Sequence, residues 1–217
     1  MAPADPLQVL AGIQRHLQAI YDLDLDLRVE DFLIGDREMA VLVDQGAVPE
    51  VLASTHEQLL ILPDDDGISV ALYLSDALQE SLAAGPDLQD HCHATEGVSH
   101  FLMLLWIARQ ERQVRRLHLE LQAEVDKATT CLLLERGATG GAGASSLLRR
   151  LFSDVALADH LEPHERERYV HAHQLASEYS RFLARRLDQG VEHLLSELRS
   201  FYRLSFSGKR QRILTAA

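Results

Sequence analysis

The spacing of apolar residues near the start of the chain predicts a helix followed by a strand. Asp5 and Pro6 suit an N-cap and the first helical position, because Asp can accept a hydrogen bond from a free backbone N–H and Pro has no N–H to leave unpaired. From Tyr21 to Val29 the period changes, and apolar residues alternate with charged ones. Alternation places every second side chain on one face, so this stretch predicts a strand with one face towards water. The helical positions are Leu7, Leu10, Ile13, Leu17 and Ile20, and the alternating ones are Leu23, Leu25, Leu27 and Val29.

Further apolar groups and one turn signal extend the predicted β region to residue 74. The groups Phe32–Ile34 and Met39–Val43 are expected to continue it. The runs Gln58–Leu62 and Ile68–Leu74 enclose Asp64–Gly67, whose Asp-Gly pair is a hairpin signal. The first third of the chain is therefore predicted to be a small antiparallel sheet with a helix before it and room for a second helix within it.

The remainder of the chain follows helical spacing. Ser75 can cap a short helix that Gly85 ends, and Pro163 can begin a long helix that ends near Gly190. The segment Gly137–Ser146 is rich in glycine and other small residues, and it predicts a flexible connector between helices. The other predicted helices cover residues 87–111, 114–136 and 147–160, with a last amphipathic helix that begins at Val191.

These elements place the protein in the α+β class, with helices predominant. A small sheet must cover its apolar face, and helices are the only other material available, so we expect an N-terminal antiparallel sheet packed against a C-terminal bundle of long helices. The expected regions are residues 1–75, a helix with the small β region, and residues 76–217, a helical bundle with the connector at 137–146. We expect the two regions to form one compact unit.

Composition and charge exclude several classes of partner. The chain has 217 residues and a formal net charge of -12, so bulk nucleic-acid binding and attachment to anionic membranes are not expected. The longest apolar run, Phe101–Ala108, is too short to cross a bilayer, and the first residues do not resemble a signal peptide. Cys92 and Cys131 do not form a disulfide framework, so a cytoplasmic protein is expected. Lys127 and Lys209 are the only lysines, and this preference for arginine is typical of a GC-rich bacterial genome.

One face of the predicted helix 87–111 carries a candidate set of metal ligands. His93, Glu96 and His100 follow one another at offsets of three and four, which places them on one side of a helix. Imidazole and carboxylate are ligands that zinc and iron accept. The spacing matches no established metal motif, and 11 histidines can produce such a cluster by coincidence. No cofactor is expected, with zinc or iron as the alternative, and the residues that could complete the set are Glu120, Glu124, His171 and His173.

Other features of the helices have structural interpretations. Glu124 can form an ion pair with Lys127 on a solvated face. Gly97 lies within an apolar helix, where glycine costs about 1 kcal/mol relative to alanine, so it is expected to allow close helix packing. The glycine-rich connector lacks the preceding strand of a phosphate-binding turn, and no nucleophile has a positioned base. These absences favour a non-enzymatic protein.

The last part of the chain combines basic and apolar side chains. No acidic residue follows Glu197, although the whole chain is acidic. This asymmetry is typical of a surface that binds a protein partner or a second copy of the chain, and an ordinary solvated terminus is the alternative. The residues expected to make the contact are Arg199, Phe201, Tyr202, Arg203, Arg210 and Arg212.

Two functions are therefore open from the sequence. The first is a non-enzymatic bacterial interaction or regulatory protein, adaptor-like, which acts through helical surfaces and this basic-apolar tail and binds a protein partner or itself as a homodimer. The second is a metal-binding helical-bundle protein or enzyme that uses the His/Glu face. The first is favoured, because the chain contains no established catalytic, phosphate-binding or metal-binding motif.

Overall fold

The computed structural model describes residues 5–64, 67–153 and 163–216, which form an α+β fold in which helices predominate, as predicted. The chain divides into two compact units. The first unit contains Met1–Leu17 and Asp24–Trp106, and the second contains Gln18–Leu23 and Ile107–Ala217. The helices are α1 (Pro6–Tyr21), α2 (Asp36–Asp44), α3 (Asp76–Ala84), α4 (Leu88–Arg109), α5 (Arg116–Thr139), α6 (Ala144–Ser153), α7 (Pro163–Gln189), α8 (Val191–Tyr202) and α9 (Phe206–Ala216), and the strands are β1 (Leu33–Ile34), β2 (Glu57–Asp64) and β3 (Gly67–Leu74).

The sheet of the first unit has the strand order β1-β3-β2. The predicted hairpin is confirmed, because β2 and β3 pair antiparallel from Glu57 opposite Leu74 to Asp64 opposite Gly67. Strand β1 pairs parallel with β3, so the sheet is mixed rather than wholly antiparallel. Parallel pairing needs a long connection, and here α2 and β2 lie between the two strands in the chain.

The prediction of a strand from Tyr21 to Val29 is wrong. Helix α1 continues to Tyr21, and residues 23–28 have no regular secondary structure. The backbone of this segment instead bonds to Gln14, whose Nε2 donates to the carbonyl oxygen of Leu27 at 2.8 Å and whose Oε1 accepts from the N–H of Val29 at 2.7 Å. Leu23, Leu25 and Val29 are buried as the alternation predicts, whereas Leu27 is exposed, and a side chain of α1 takes the place of a partner strand.

The β structure predicted for Met39–Val43 is also wrong, because these residues lie in α2. The N–H of Gly35 donates to the Glu38 carboxylate at 3.1 Å, which is one half of a capping box. Met39 is buried in a core cluster with Leu42 and Val43 packed against it, whereas Val41 is largely exposed. This is the spacing of a helix face, since a strand would place residues 39, 41 and 43 on the same side.

In the second unit, α5 packs against α7, and α7 packs against α8 and α9. The predicted connector at 137–146 is too long, because α5 continues to Thr139 and α6 begins at Ala144. Gly140 ends α5 in a left-handed conformation with φ of 73°, and its N–H donates to the carbonyl oxygen of Arg136 at 2.9 Å. The predicted helix 147–160 is observed as α6, and its expected end lies outside the described residues.

The division of the chain into units and the structure of its C-terminal tail differ from what the sequence predicts. The first unit contains α3 and most of α4, which the division predicted from the sequence assigns to the bundle. The C-terminal tail expected to bind a partner lies in α8 and α9 and in the short link between them. No helix within the described ranges combines the length and apolar character that a bilayer-spanning helix requires.

Candidate metal centre

Helix α4 brings together two of the three side chains predicted as metal ligands. A carboxylate oxygen of Glu96 and a ring nitrogen of His100 lie within 4.8 Å of each other. The two residues are one helical turn apart, so their side chains project from the same face. His100 is buried and Glu96 is half-buried. One imidazole and one carboxylate are therefore neighbours in the first unit.

A third side chain of the ligand type comes from the sheet. Glu57 is the first residue of β2, and its Oε1 lies 3.9 Å from Nδ1 of His100. Both side chains are little exposed, at 11% for Glu57 and 8% for His100. His100 therefore has a carboxylate from β2 and a carboxylate from α4 in its surroundings. Sequence analysis missed Glu57, because no local spacing relates a strand residue to a distant helix.

Gly97 explains how the sheet approaches α4 so closely. A Cβ atom at this position would lie 2.9 Å from Oε2 of Glu57 and 2.9 Å from Cδ1 of Leu72, well inside normal contact distance. The close approach expected at Gly97 is therefore made by side chains of β2 and β3 rather than by a helix. The absent side chain leaves the space that the Glu57 carboxylate occupies beside α4.

The third predicted ligand of α4, His93, contacts other neighbours. Its ring centroid lies 5.0 Å from that of His56, and its Nε2 lies 3.5 Å from Nε2 of Gln89. Because His56 directly precedes Glu57, two consecutive residues at the start of the hairpin lie along α4. His93 is placed beside His56, and His100 is placed beside Glu57.

The residues expected to complete the ligand set belong to the second unit. Glu124 accepts a hydrogen bond from Nζ of Lys127 at 2.7 Å, which confirms the predicted ion pair, and its other oxygen lies 3.3 Å from Nδ1 of His173. Burial alone would raise the pKa of Glu124, but Lys127 and His173 lower it to about 2. His171 is exposed, and Glu120 lies one turn before Glu124 on α5. The Glu124 carboxylate therefore already has two hydrogen-bonding partners.

Two arginines predicted to bind a partner hold the end of α1. Nε of Arg199 donates to the carbonyl oxygen of Ile20 at 3.1 Å, and a terminal nitrogen of Arg203 donates to that of Tyr21 at 3.0 Å. The last four carbonyl groups of a helix have no partner within it, so these guanidinium groups cap α1. Their positive charge also opposes the negative end of the helix dipole.

The aromatic residues of the predicted contact surface are buried. Phe201 and Tyr202 are essentially inaccessible to solvent. The ring of Tyr202 stacks on Tyr21 with centroids 4.3 Å apart, and that of Phe201 stacks on Tyr179 at 4.1 Å. These two side chains are part of the core of the second unit.

The last two arginines of the predicted surface differ from each other. Arg210 is exposed on α9. Arg212 binds both carboxylate oxygens of Glu197, with Nε donating to Oε1 at 2.8 Å, and Tyr179 donates its hydroxyl to the same Oε1 at 2.7 Å. Arg212 therefore has a partner within the unit, whereas the side chain of Arg210 faces solvent.

A fully buried lysine is a further feature that sequence analysis missed. Lys209 donates to Oε1 of Gln122, whose Nε2 donates to Asp126 at 2.7 Å. Nζ of Lys209 lies 5.1 Å from the ring centroid of Phe201 and 5.4 Å from that of Tyr202. Burial lowers the pKa of Lys209 to about 7, although the charge of Asp126 opposes the shift.

Among the described residues of the first unit, His100 lies near the carboxylate of Glu57 and near that of Glu96, and these side chains offer one nitrogen ligand and two oxygen ligands. No family model, curated protein or solved structure matches the chain.

Proposed function

We propose that the protein binds a divalent transition metal, zinc or iron, in the first unit, with Glu57, Glu96 and His100 as ligands. The supporting observation is the position of His100, whose Nδ1 lies 3.9 Å from the Glu57 carboxylate and which has a ring nitrogen within 4.8 Å of Glu96. Imidazole nitrogen and carboxylate oxygen are common ligands of both metals.

The distance between Oε1 of Glu57 and Nδ1 of His100, 3.9 Å, is near that between two ligand atoms of one bound metal ion. Ligand atoms around one tetrahedral zinc lie roughly 3.4 Å apart, since each is about 2.0–2.2 Å from the metal. A water molecule or a substrate fills the last position in zinc sites that have three protein ligands.

A divalent cation at this place would also interact favourably with the nearby carboxylates. The carboxylate of Glu57 and the ring of His100 are largely removed from water. A carboxylate in such surroundings is destabilised unless a positive charge or hydrogen bonds compensate it. Because these side chains are little exposed, solvent would screen their attraction to a divalent ion less than at the surface.

The interaction hypothesis has less support from the positions of its residues. Phe201 and Tyr202 are buried, and Arg199 and Arg203 bind carbonyl groups of α1. A partner could reach Phe201 and Tyr202 only after the core of the unit opens, and the two arginines already bind backbone carbonyl groups. Deletion from Phe201 onward would not test the hypothesis, because it also removes core residues. Partner binding through exposed groups such as Arg210 stays a prediction.

Metal content provides the test of the proposal. Protein purified without chelators is measured by native mass spectrometry and elemental analysis, and zinc affinity is measured by competition with a chromophoric chelator. The wild-type chain should hold one metal ion, and His100→Ala should lose it. Glu57→Gln, which preserves side-chain size, should bind zinc at least about tenfold more weakly.

The matched control is His171→Ala, since His171 is an exposed histidine of the second unit. This variant should keep the wild-type metal content. Wild-type affinity for zinc in both Glu57→Gln and a folded His100→Ala would refute the proposal, as would a wild-type chain that binds neither zinc nor iron.

A further inference from the structure

The second unit contains a pocket of about 530 Å³ formed by α7, α8 and α9. This volume is in the range of pockets that bind small molecules. Arg186 of α7 and Arg212 of α9 contribute guanidinium groups, and Ser196 and Ser200 of α8 contribute hydroxyl groups. The exposed side chain of His193 lies at the same pocket. The lining is therefore rich in hydrogen-bond donors.

Among the described residues that line the pocket, Glu197 carries the only carboxylate, and Arg212 neutralises it. Arg212 binds both of its oxygens. Burial alone would raise the pKa of Glu197, but hydrogen bonds from Arg212 and Tyr179 and the charges of Arg212 and Arg186 lower it. Glu197 is therefore ionised at neutral pH, and it balances one of the two guanidinium charges.

Arg186 supplies the excess positive charge. Its Nε is buried and has no hydrogen-bond partner within residues 5–64, 67–153 and 163–216. One terminal nitrogen donates to Oε1 of Gln189 at 3.2 Å, which is a neutral partner. Its guanidinium carbon lies 5.2 Å from the ring centroid of Phe182, and that of Arg212 lies 5.8 Å from the same ring. The Phe182 ring thus holds both arginines on one side of the pocket.

We propose that this pocket binds a small organic anion with a carboxylate or phosphate group. The anionic group would accept hydrogen bonds from Arg186 and from the hydroxyl of Ser196, since the Ser200 hydroxyl already donates to the carbonyl oxygen of Ser196 at 3.0 Å. Guanidinium groups suit this role because their planar donors match both carboxylate and phosphate oxygens. The apolar part of the ligand would contact Leu204 of the same lining. This site is separate from the metal proposal and does not depend on it.

Isothermal titration calorimetry with three related probes tests the proposal. Phenyl phosphate and benzoate carry the two anionic groups, and benzyl alcohol is a neutral compound of similar shape. At least one anion should bind saturably to the full chain, more weakly at higher salt, and benzyl alcohol should not bind. The anion that binds more tightly identifies the group that the pocket prefers.

Variants of α7 connect binding to the pocket. Arg186→Gln should weaken binding at least about tenfold, which is the loss expected for a charged hydrogen bond. Arg181→Gln is the matched control, because Arg181 is exposed on the same helix outside the pocket lining, and it should bind as the wild type does. Arg186→Lys keeps the charge without the planar fork, so it should show an intermediate affinity.

Three results would overturn the proposal. These are no saturable binding of either anion to the wild type, equal affinity in Arg186→Gln and Arg181→Gln, and binding of benzyl alcohol as tight as that of the anions. Circular dichroism of each variant confirms that a loss of binding is not a loss of the fold. Glu57→Gln should leave anion binding unchanged, so the two proposals fail separately.

Discussion

Replacement of Lys209 by methionine should remove a pH dependence from the stability of this protein. Lys209 is fully buried, with its ammonium group near Gln122, Asp126 and the rings of Phe201 and Tyr202. Burial penalises the charged form, so the pKa of Lys209 falls to about 7 in the folded protein. Methionine has a similar length and no charge, so Lys209→Met keeps the packing and removes the titration.

The magnitude follows from the difference between the two pKa values. The side chain titrates near 10.4 in an unfolded chain, so between pH 7 and 9 the unfolded state retains a proton that the folded state loses. Because the pKa of Lys209 is lowered, its contribution to stability is complete above its pKa in the unfolded chain. That contribution is lost as the pH falls towards its pKa in the folded protein. At about 1.36 kcal/mol for each pH unit, and with the folded state half-protonated near pH 7, the free energy of unfolding should rise by about 2 kcal/mol from pH 7 to 9.

Two measurements check this prediction. Urea unfolding at pH 7, 8 and 9 should show the rise for the wild type and not for Lys209→Met. Above this range the buried Tyr21 acts in the opposite direction, because burial and Asp126 raise its pKa well above the usual value. With ¹³C-labelled lysine, NMR should show two side-chain resonances, from Lys127 and Lys209, of which that of Lys209 titrates near pH 7.

The reasoning would be refuted if the Lys209 resonance titrated above pH 9, or if Lys209→Met retained the full rise in stability. The first result would mean that Asp126 and the two aromatic rings stabilise the ammonium group more than burial destabilises it. The second would mean that other groups cause the pH dependence.

Two further predictions concern a histidine and a glycine. The hydrogen bond to Glu124 raises the pKa of His173 in the folded protein. The contribution of His173 to stability is therefore complete below about pH 6.5, the pKa of an unfolded histidine, and is lost as the pH rises through its pKa in the folded protein. The melting temperature of His173→Gln should therefore lie further below that of the wild type at pH 6 than at pH 8, and an equal difference at both would contradict this. Gly97→Ala should displace the Glu57 carboxylate and weaken zinc binding, while the helix propensity of alanine, worth up to about 1 kcal/mol, offsets the lost packing. Unchanged zinc affinity in a folded Gly97→Ala would show that Glu57 is not a ligand.

The sequence predicts the elements that depend on local chemistry. Ser75 caps α3 by accepting a hydrogen bond from the N–H of Leu78 at 3.3 Å, and Gly85 ends the same helix with φ of 110°. Both interactions join residues close together in the chain, so spacing and residue type are sufficient to predict them. The segment after Tyr21 depends instead on the amide of Gln14, which lies a long way back in the chain. No local pattern distinguishes an extended segment bonded to a side chain from a strand bonded to another strand.

The same limit applies to the candidate metal centre. Glu96 and His100 share a helix face, and helical spacing predicts that arrangement. Glu57 joins them only because the hairpin approaches α4 at Gly97, where a larger side chain would collide with Leu72. Gly97 is therefore the residue whose sequence signal came nearest to the missing ligand, since a glycine in a helix interior indicates that something approaches closely. It does not indicate which residue approaches.

Charge in this protein identifies a site only when the partners of each charged group are known. The basic residues near the C-terminus stand out in an acidic chain, yet Arg199 and Arg203 cap α1, and Arg212 is neutralised by Glu197. Arg186 does not stand out in the sequence, because other arginines, such as Arg181 and Arg185, lie near it along α7. Its buried Nε has no hydrogen-bond partner among the described residues, and the one carboxylate lining its pocket is bound by Arg212. An incoming anion would gain most where a cation is held in place and has no hydrogen-bonded carboxylate among the described residues, and for that reason we expect binding at Arg186 rather than at the denser cluster of charge.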